Sequence, residues 1–134
     1  MELSLIDFHL DVRSGVAPYM QLVQQVRQAL RLGLLGVGDQ LPTVKDVVSK
    51  VAINPNTVLK AYRELEHEGL VSPKPGVGTF VTRTLSDGSS LSAHEPLRRE
   101  LQTWLAKAQS AGLDAESIEA LFMATFRTTT EVKQ

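Results

Sequence analysis

The chain contains no cysteine. That excludes a disulfide framework, thiol chemistry and any zinc site built on thiolates. It has no long apolar run either: nothing approaches the roughly 20 residues needed to span a bilayer. The first residues, MELSLIDFHLDV, lack the basic stretch and apolar segment of a secretory signal, so a cytoplasmic location is expected. Nor is there an excess of charge of either sign, with 14 Lys and Arg against 15 Asp and Glu and a formal net charge of -1. Residues 1–85 hold nine basic against eight acidic side chains, and residues 86–134 hold five against seven. Composition therefore gives no broad basic footprint, and a nucleic-acid surface here would have to be a local stripe. The three histidines, His9, His67 and His94, fall on separate segments with no ligand-like spacing, so no metal and no cofactor is expected. No serine, histidine and aspartate arrangement marks a nucleophile. There is no internal repeat and no low-complexity segment.

What is present is an apolar fraction of 43% in 134 residues, enough for one compact domain with an appendage. Ile6, Phe8 and Leu10 alternate with Asp7, His9 and Asp11, which reads as a short half-buried strand or extended arm. From Pro18 to about Leu35 the apolar residues Tyr19, Leu22, Val23, Val26, Ala29 and Leu30 recur at helical spacing. Pro18 suits the first turn, where its missing N–H is not needed.

Residues 40–81, QLPTVKDVVSKVAINPNTVLKAYRELEHEGLVSPKPGVGTFV, carry the most information. Thr43 is a good N-cap with Asp46 at the capping-box position. The helix 44–51 has four valines on one side; their poor helix propensity means packing must hold it. Ala52 and Ile53 make a tight turn. Asn54 then caps a second helix with Pro55 at its first position. Val58, Ala61, Tyr62 and Leu65 form its apolar stripe, and Gly69 ends it. Leu70-Val71 and 79–81 read as two short strands, with 72–78 as the loop between them. Helix, turn, helix and hairpin is the layout of a winged helix-turn-helix, a unit commonly used to lay its second helix in the DNA major groove.

Beyond it, residues 84–91 read as a polar linker. Ser92 and Glu95 form another capping box, followed by a helix with Leu97, Leu101, Trp104, Leu105 and Ala108 on one stripe. That helix stops near Gly112. Asp114 caps a last helix carrying Ile118, Leu121, Phe122 and Phe126. Two amphipathic helices joined by a short turn need a partner surface, either the first domain or a second copy. The expected fold class is mainly α with a small β-hairpin wing: a winged helix-turn-helix DNA-binding domain over residues 1–84 and a short helical dimerisation region over 85–134.

Pro18-Tyr19 with Gln21, Gly38-Asp39 with Leu41-Pro42, Asn56-Thr57-Val58, Tyr62-Arg63 with Leu65, Glu68-Gly69-Leu70 and 78–81 together resemble the DNA-binding domain of the GntR family of bacterial transcription regulators. The match covers roughly residues 16–82. The 54–57 sequence and the short helical tail resemble the YtrA-type subfamily, in which the large effector-binding domain is absent and the tail serves dimerisation. The resemblance implies a homodimeric repressor of an operon such as a transporter or stress operon. It also shows departures. A position usually Arg in that family is Lys45 here, and two often basic positions are Pro55 and Leu59. Lys offers a point charge where Arg offers a fork, so the base-reading set is reduced.

The residues expected at DNA follow from the motif. Asn54, Asn56 and Thr57 open the recognition helix, whose start faces base edges. Asn pairs two-point with adenine, and a Thr methyl meets a thymine methyl; Asn54 is equally an N-cap. Thr43 and Lys45 begin the preceding helix and suit a phosphate. Lys60, with Arg63 a turn on, flanks the groove. Lys74, Gly76 and Gly78 belong to the wing, where glycine lets backbone approach closely. In the tail, Leu97, Leu101, Trp104, Leu105, Ile118, Leu121 and Phe122 are the expected dimer interface. The expected partners are therefore a palindromic double-stranded operator and a second copy, with no membrane and no catalytic role. A winged helix that docks protein instead of DNA is the alternative, recognisable by an apolar patch in place of Lys45, Asn56, Thr57, Lys60 and Lys74.

Overall fold

The computed structural model describes residues 6–86 and 94–131. They form helices α1 (Pro18–Arg31), α2 (Val44–Val51) and α3 (Pro55–His67), strands β1 (Val71–Lys74) and β2 (Gly78–Val81), and helices α4 (Glu95–Ser110) and α5 (Ala115–Glu131). The chain divides into two compact units, Met1–Ser92 and Ala93–Gln134. The capping expected of Ser92 falls outside the described residues.

In the first unit, Leu22, Val23, Val26 and Leu30 of α1 meet Val58, Ala61 and Leu65 of α3, with Val47 of α2 and Leu41, Leu70 and Val81 from the flanking segments. Eleven of the largest core side chains are essentially inaccessible, and each such Val or Leu contributes about 1.5–3 kcal/mol relative to exposure. Among the α2 valines only Val47 is fully buried, while Val44, Val48 and Val51 are partly covered by the same core. That packing offsets the helix's poor propensity. Tyr62 is buried and donates its hydroxyl to the Pro42 carbonyl at 2.6 Å, which ties the recognition helix to the entry of α2. Burial, with Asp46 adding repulsion, pushes the phenol well above its ordinary range.

Helix α3 ends where the sequence places the stop. Gly69 has φ +80, the left-handed conformation that a residue with a Cβ resists. Its N–H reaches the Glu66 carbonyl at 2.9 Å, and the Leu70 N–H reaches the Leu65 carbonyl at 3.0 Å. The same end is joined to α1 by a forked ion pair between Arg27 and Glu68. The hydrogen bond from Arg27 is the main reason the Glu68 carboxyl lies below its usual range.

Two elements differ from expectation and one resolves an alternative. First, of the strand or extended arm expected over residues 6–11, the extended arm is the one formed. Ile6 and Phe8 are buried, while the arm's backbone is satisfied by side-chain amides of α1. Gln25 accepts from the His9 N–H at 3.1 Å and donates to the His9 carbonyl at 2.8 Å. Buried Gln21 does the same for Asp11, at 2.8 and 3.0 Å. These amides take the place of a neighbouring strand. Second, the hairpin is longer than its apolar residues suggest. β1 and β2 pair antiparallel from Val71↔Val81 to Lys74↔Gly78, so Pro73 lies within β1, an edge strand where its missing N–H is tolerated. The tip is 75–77, closed by Val77 N–H to Lys74 carbonyl at 2.9 Å. On its other side β2 exchanges hydrogen bonds with 38–41: Gly38 to Val81, Val81 to Asp39 and Leu41 to Thr79, at 2.8–2.9 Å. Third, α1 ends at Arg31, four residues before Leu35.

The turn between α2 and α3 holds a strained residue. Ala52 has φ 51 and ψ 52 and is the one non-glycine residue with positive φ among the described residues. That conformation costs an L-residue about 1–2 kcal/mol. Glycine removes this cost but gives back about 0.4–1 kcal/mol through a freer unfolded chain. Ala52→Gly should therefore raise stability by about 0.5–1 kcal/mol, read as a higher denaturant midpoint. An unchanged or lower midpoint would mean the turn is not held left-handed in solution.

Candidate nucleic-acid interface

The residues expected at DNA belong to two helix starts, the middle of α3 and a hairpin. Thr43 caps α2, its Oγ1 accepting from the Asp46 N–H at 3.1 Å. The hydroxyl proton stays available to donate outward. Lys45 is exposed in the first turn of α2. Asn54 caps α3, its Oδ1 accepting from the Asn56 N–H at 2.7 Å, so its side chain is engaged in holding the helix start. Asn56 is exposed and Thr57 half-exposed in the first turn of α3.

The wing completes the set. A cleft of about 240 Å³ is lined by Thr43 from the start of α2, Leu59 and Arg63 from α3, and Gly78 and Thr79 from β2. Thr43 and Gly78 are thus brought to one cleft together with Arg63, Glu66 and exposed Leu59. Lys45, Asn54, Asn56, Thr57, Lys60, Lys74 and Gly76 do not line this cleft. Gly78 has a conformational reason of its own: its φ of +152 is one that L side chains rarely adopt, and a Cβ there would also displace the amide end of the exposed Gln40 side chain, whose Nε2 donates to the Val77 carbonyl at 3.3 Å. Gly76, at φ +77, sits at the tip. The two remaining lysines lie on aromatic rings. The Lys60 ammonium is 4.1 Å from the Tyr19 ring centroid, and that of Lys74 is 4.7 Å from Phe80. Neither ring was anticipated from sequence. For Lys74 and Phe80 the hairpin register would have shown it, since Phe80 faces Ser72 and so sits diagonal to Lys74 on one face.

A larger cleft of about 820 Å³ lies between the arm, residues 39–43 and α2, and shares Pro42 and Thr43 with the first. Its ionisable lining is Asp7, Asp39, Asp46 and Lys50, a balance that disfavours phosphate.

In the second unit, the expected interface residues do not share one site. Leu101, Leu105, Ile118 and Phe122 line one apolar groove of about 520 Å³ between α4 and α5. Trp104 instead lies beside Arg99, Glu100, Thr103 and Lys107. Leu97 is 65% and Leu121 45% exposed, and both lie outside the groove lining. Phe122 and Phe126 stack in parallel, centroids 6.2 Å apart, and both remain exposed. Asp114 caps α5 by accepting from the Ser117 N–H at 2.9 Å, which holds its carboxyl below the usual range.

Comparison with known proteins fixes the family. Residues 18–81 match the family model described as bacterial regulatory proteins, gntR family. The HTH-type transcriptional repressor YtrA of Bacillus subtilis is 31% identical over 109 residues, covering 81% of this chain and 84% of that protein. The chain belongs to the GntR family. Among solved structures of similar shape, a transcriptional antiterminator from Listeria monocytogenes has a TM-score of 0.58 at 27% identity, covering 98% of this chain and 92% of that one. YtrA from Sulfolobus acidocaldarius, a GntR-family transcription factor, has a TM-score of 0.53 at 25% identity, covering 80% and 99%. Within the GntR family the chain is of the YtrA type. It is a transcriptional regulator with a DNA-binding winged helix, and not an enzyme. No helix among the described residues is long and apolar enough to cross a membrane.

Proposed function

We propose that this GntR-family chain is a cytoplasmic homodimeric repressor that reads a palindromic operator and blocks transcription of the operon behind it. The observation that carries the reading is the convergence of the α2 start, α3 and the wing around Thr43, Arg63 and Gly78. Asn56 and Thr57 face base edges from the first turn of α3, while Lys45, Thr43, Lys60, Lys74 and the glycines of the wing position the backbone. Self-association is supported by the second unit: Leu97, Leu101, Leu105, Leu121, Phe122 and Phe126 are exposed on two adjacent helices, more apolar surface than an isolated helical pair keeps in water. A repressing role is supported by the name of the Bacillus subtilis relative.

Selection of bound duplexes from a random pool by the purified chain tests the reading. It should recover a palindrome with half-sites about one helical turn, roughly 34–36 Å, apart or a multiple of it. With so few basic residues, affinity should fall with salt at a slope for about 4–8 phosphates per dimer, near -0.9 for each. Recovery of unpaired half-sites would remove the dimeric reading, and salt-independent binding would remove the backbone contacts.

A further inference from the structure

The two exposed lysines on aromatic rings point to a role for those rings. Lys60 is four residues beyond Asn56 on α3, so the two share a helix face. Its ammonium is 4.1 Å from the ring of Tyr19, which belongs to the first turn of α1. Lys74 ends β1 beside the wing tip, with its ammonium 4.7 Å from Phe80 of β2. Both rings are half-buried: Tyr19 packs against the core, and Phe80 belongs to β2, paired with Ser72 on one side and Gln40 on the other. A free lysine chain has four rotatable carbons and large rotamer entropy, which is lost on meeting a phosphate. A ring beneath the ammonium reduces that loss before binding. It covers one side of a group with three donors and leaves the other side open.

We propose that Tyr19 and Phe80 are positioning residues for DNA binding. Each is a pedestal that holds a lysine, Lys60 on the recognition helix or Lys74 at the end of β1, poised for a phosphate. The inference rests on the DNA-binding reading above and adds the residues that order its cations. It also gives a physical reason why a chain of net charge -1 needs few basic residues: those it has are pre-placed.

The test is a double-mutant cycle in the full chain, with affinity for the selected operator measured from about 50 to 200 mM salt. Lys60→Gln should flatten the salt slope by about 0.9 per subunit. Tyr19→Leu should weaken binding by about two- to fivefold per subunit with the slope retained, because the charge is still there. Tyr19→Phe, which keeps the ring, should stay within about twofold of the parent. In the Lys60→Gln background Tyr19→Leu should have no further effect. Phe80→Leu, Phe80→Tyr and Lys74→Gln form the matching cycle for the wing. Should a leucine variant fail to fold, methionine at the same position removes the ring while filling its space. Additive losses would mean the ring acts only through the core. An unchanged slope in Lys60→Gln would mean that lysine meets no phosphate. Either result overturns the pedestal while leaving the DNA reading intact, whereas salt-independent binding by the parent chain overturns the DNA reading itself.

Discussion

A chain ended after Ser86 should fold, sediment as a monomer and bind its operator about a hundredfold or more weakly than the full chain. Folding is expected because the first unit has its own core. Leu22, Val26, Leu30, Val58, Leu65 and Val81 are buried among residues that all precede the cut. Ending at Ser86 also keeps Leu85 against that core and the Thr84 hydroxyl near the Leu30 carbonyl. Loss of affinity follows from geometry. Two linked half-site readers make the second contact intramolecular, an advantage that reaches roughly 10²–10⁴-fold. The proposed link is the apolar surface of α4 and α5, where Leu101, Leu105, Ile118 and Phe122 line one groove. Circular dichroism, sedimentation and operator titration together read the result. A full chain that sediments as a monomer at micromolar concentration, or a shortened chain that keeps its affinity, would remove the second unit from this role.

The parts of this fold that were legible in sequence are those governed by local chemistry. Thr43 before four valines, Asn54-Pro55, Gly69 and Asp114 each mark a helix boundary through a hydrogen bond or conformation that a single residue supplies, and the caps at Thr43, Asn54 and Asp114 are all made. What sequence did not reveal depends on which segments meet. Gln21 and Gln25 look like polar positions on an amphipathic helix, yet their amides hold the arm in place of a strand. Tyr19 reads as a core residue, and only the packing of α1 on α3 brings its ring under Lys60, 41 positions away. Gly78 reads as a glycine kept free for DNA, while its φ of +152, set by the hairpin, already favours glycine, and the Gln40 amide stands where a Cβ would be. Of the residues expected at DNA, only Thr43 and Gly78 line one cleft, and the presence of Arg63 there depends on how α3 packs beside the hairpin, which the sequence does not show.

Asn56→Ala and Lys45→Ala should separate reading from positioning. Asn56 is exposed at the second residue of α3, its own N–H already satisfied by Asn54, so its amide group is free to present a donor and an acceptor to one base edge. Removing a two-point contact of that kind costs about 1–3 kcal/mol of discrimination for each half-site, and a symmetric dimer counts it twice. Asn56→Ala should therefore weaken the cognate operator strongly, leave random duplex nearly unchanged, and relax preference at one position of each half-site. The helix itself should survive, since its cap is Asn54 and the proline at its first position is untouched. Lys45 is an exposed point charge in the first turn of α2. It carries no base-edge pattern, so Lys45→Ala should weaken cognate and random DNA by similar factors and flatten the salt slope by about 0.9 per subunit. Titration of both duplexes over a salt series, with a repeat of the random-pool selection for each variant, distinguishes the two behaviours. A change of sequence preference in Lys45→Ala with none in Asn56→Ala would reverse the roles. In that case the start of α2, and not the start of α3, would be the element that reads the operator.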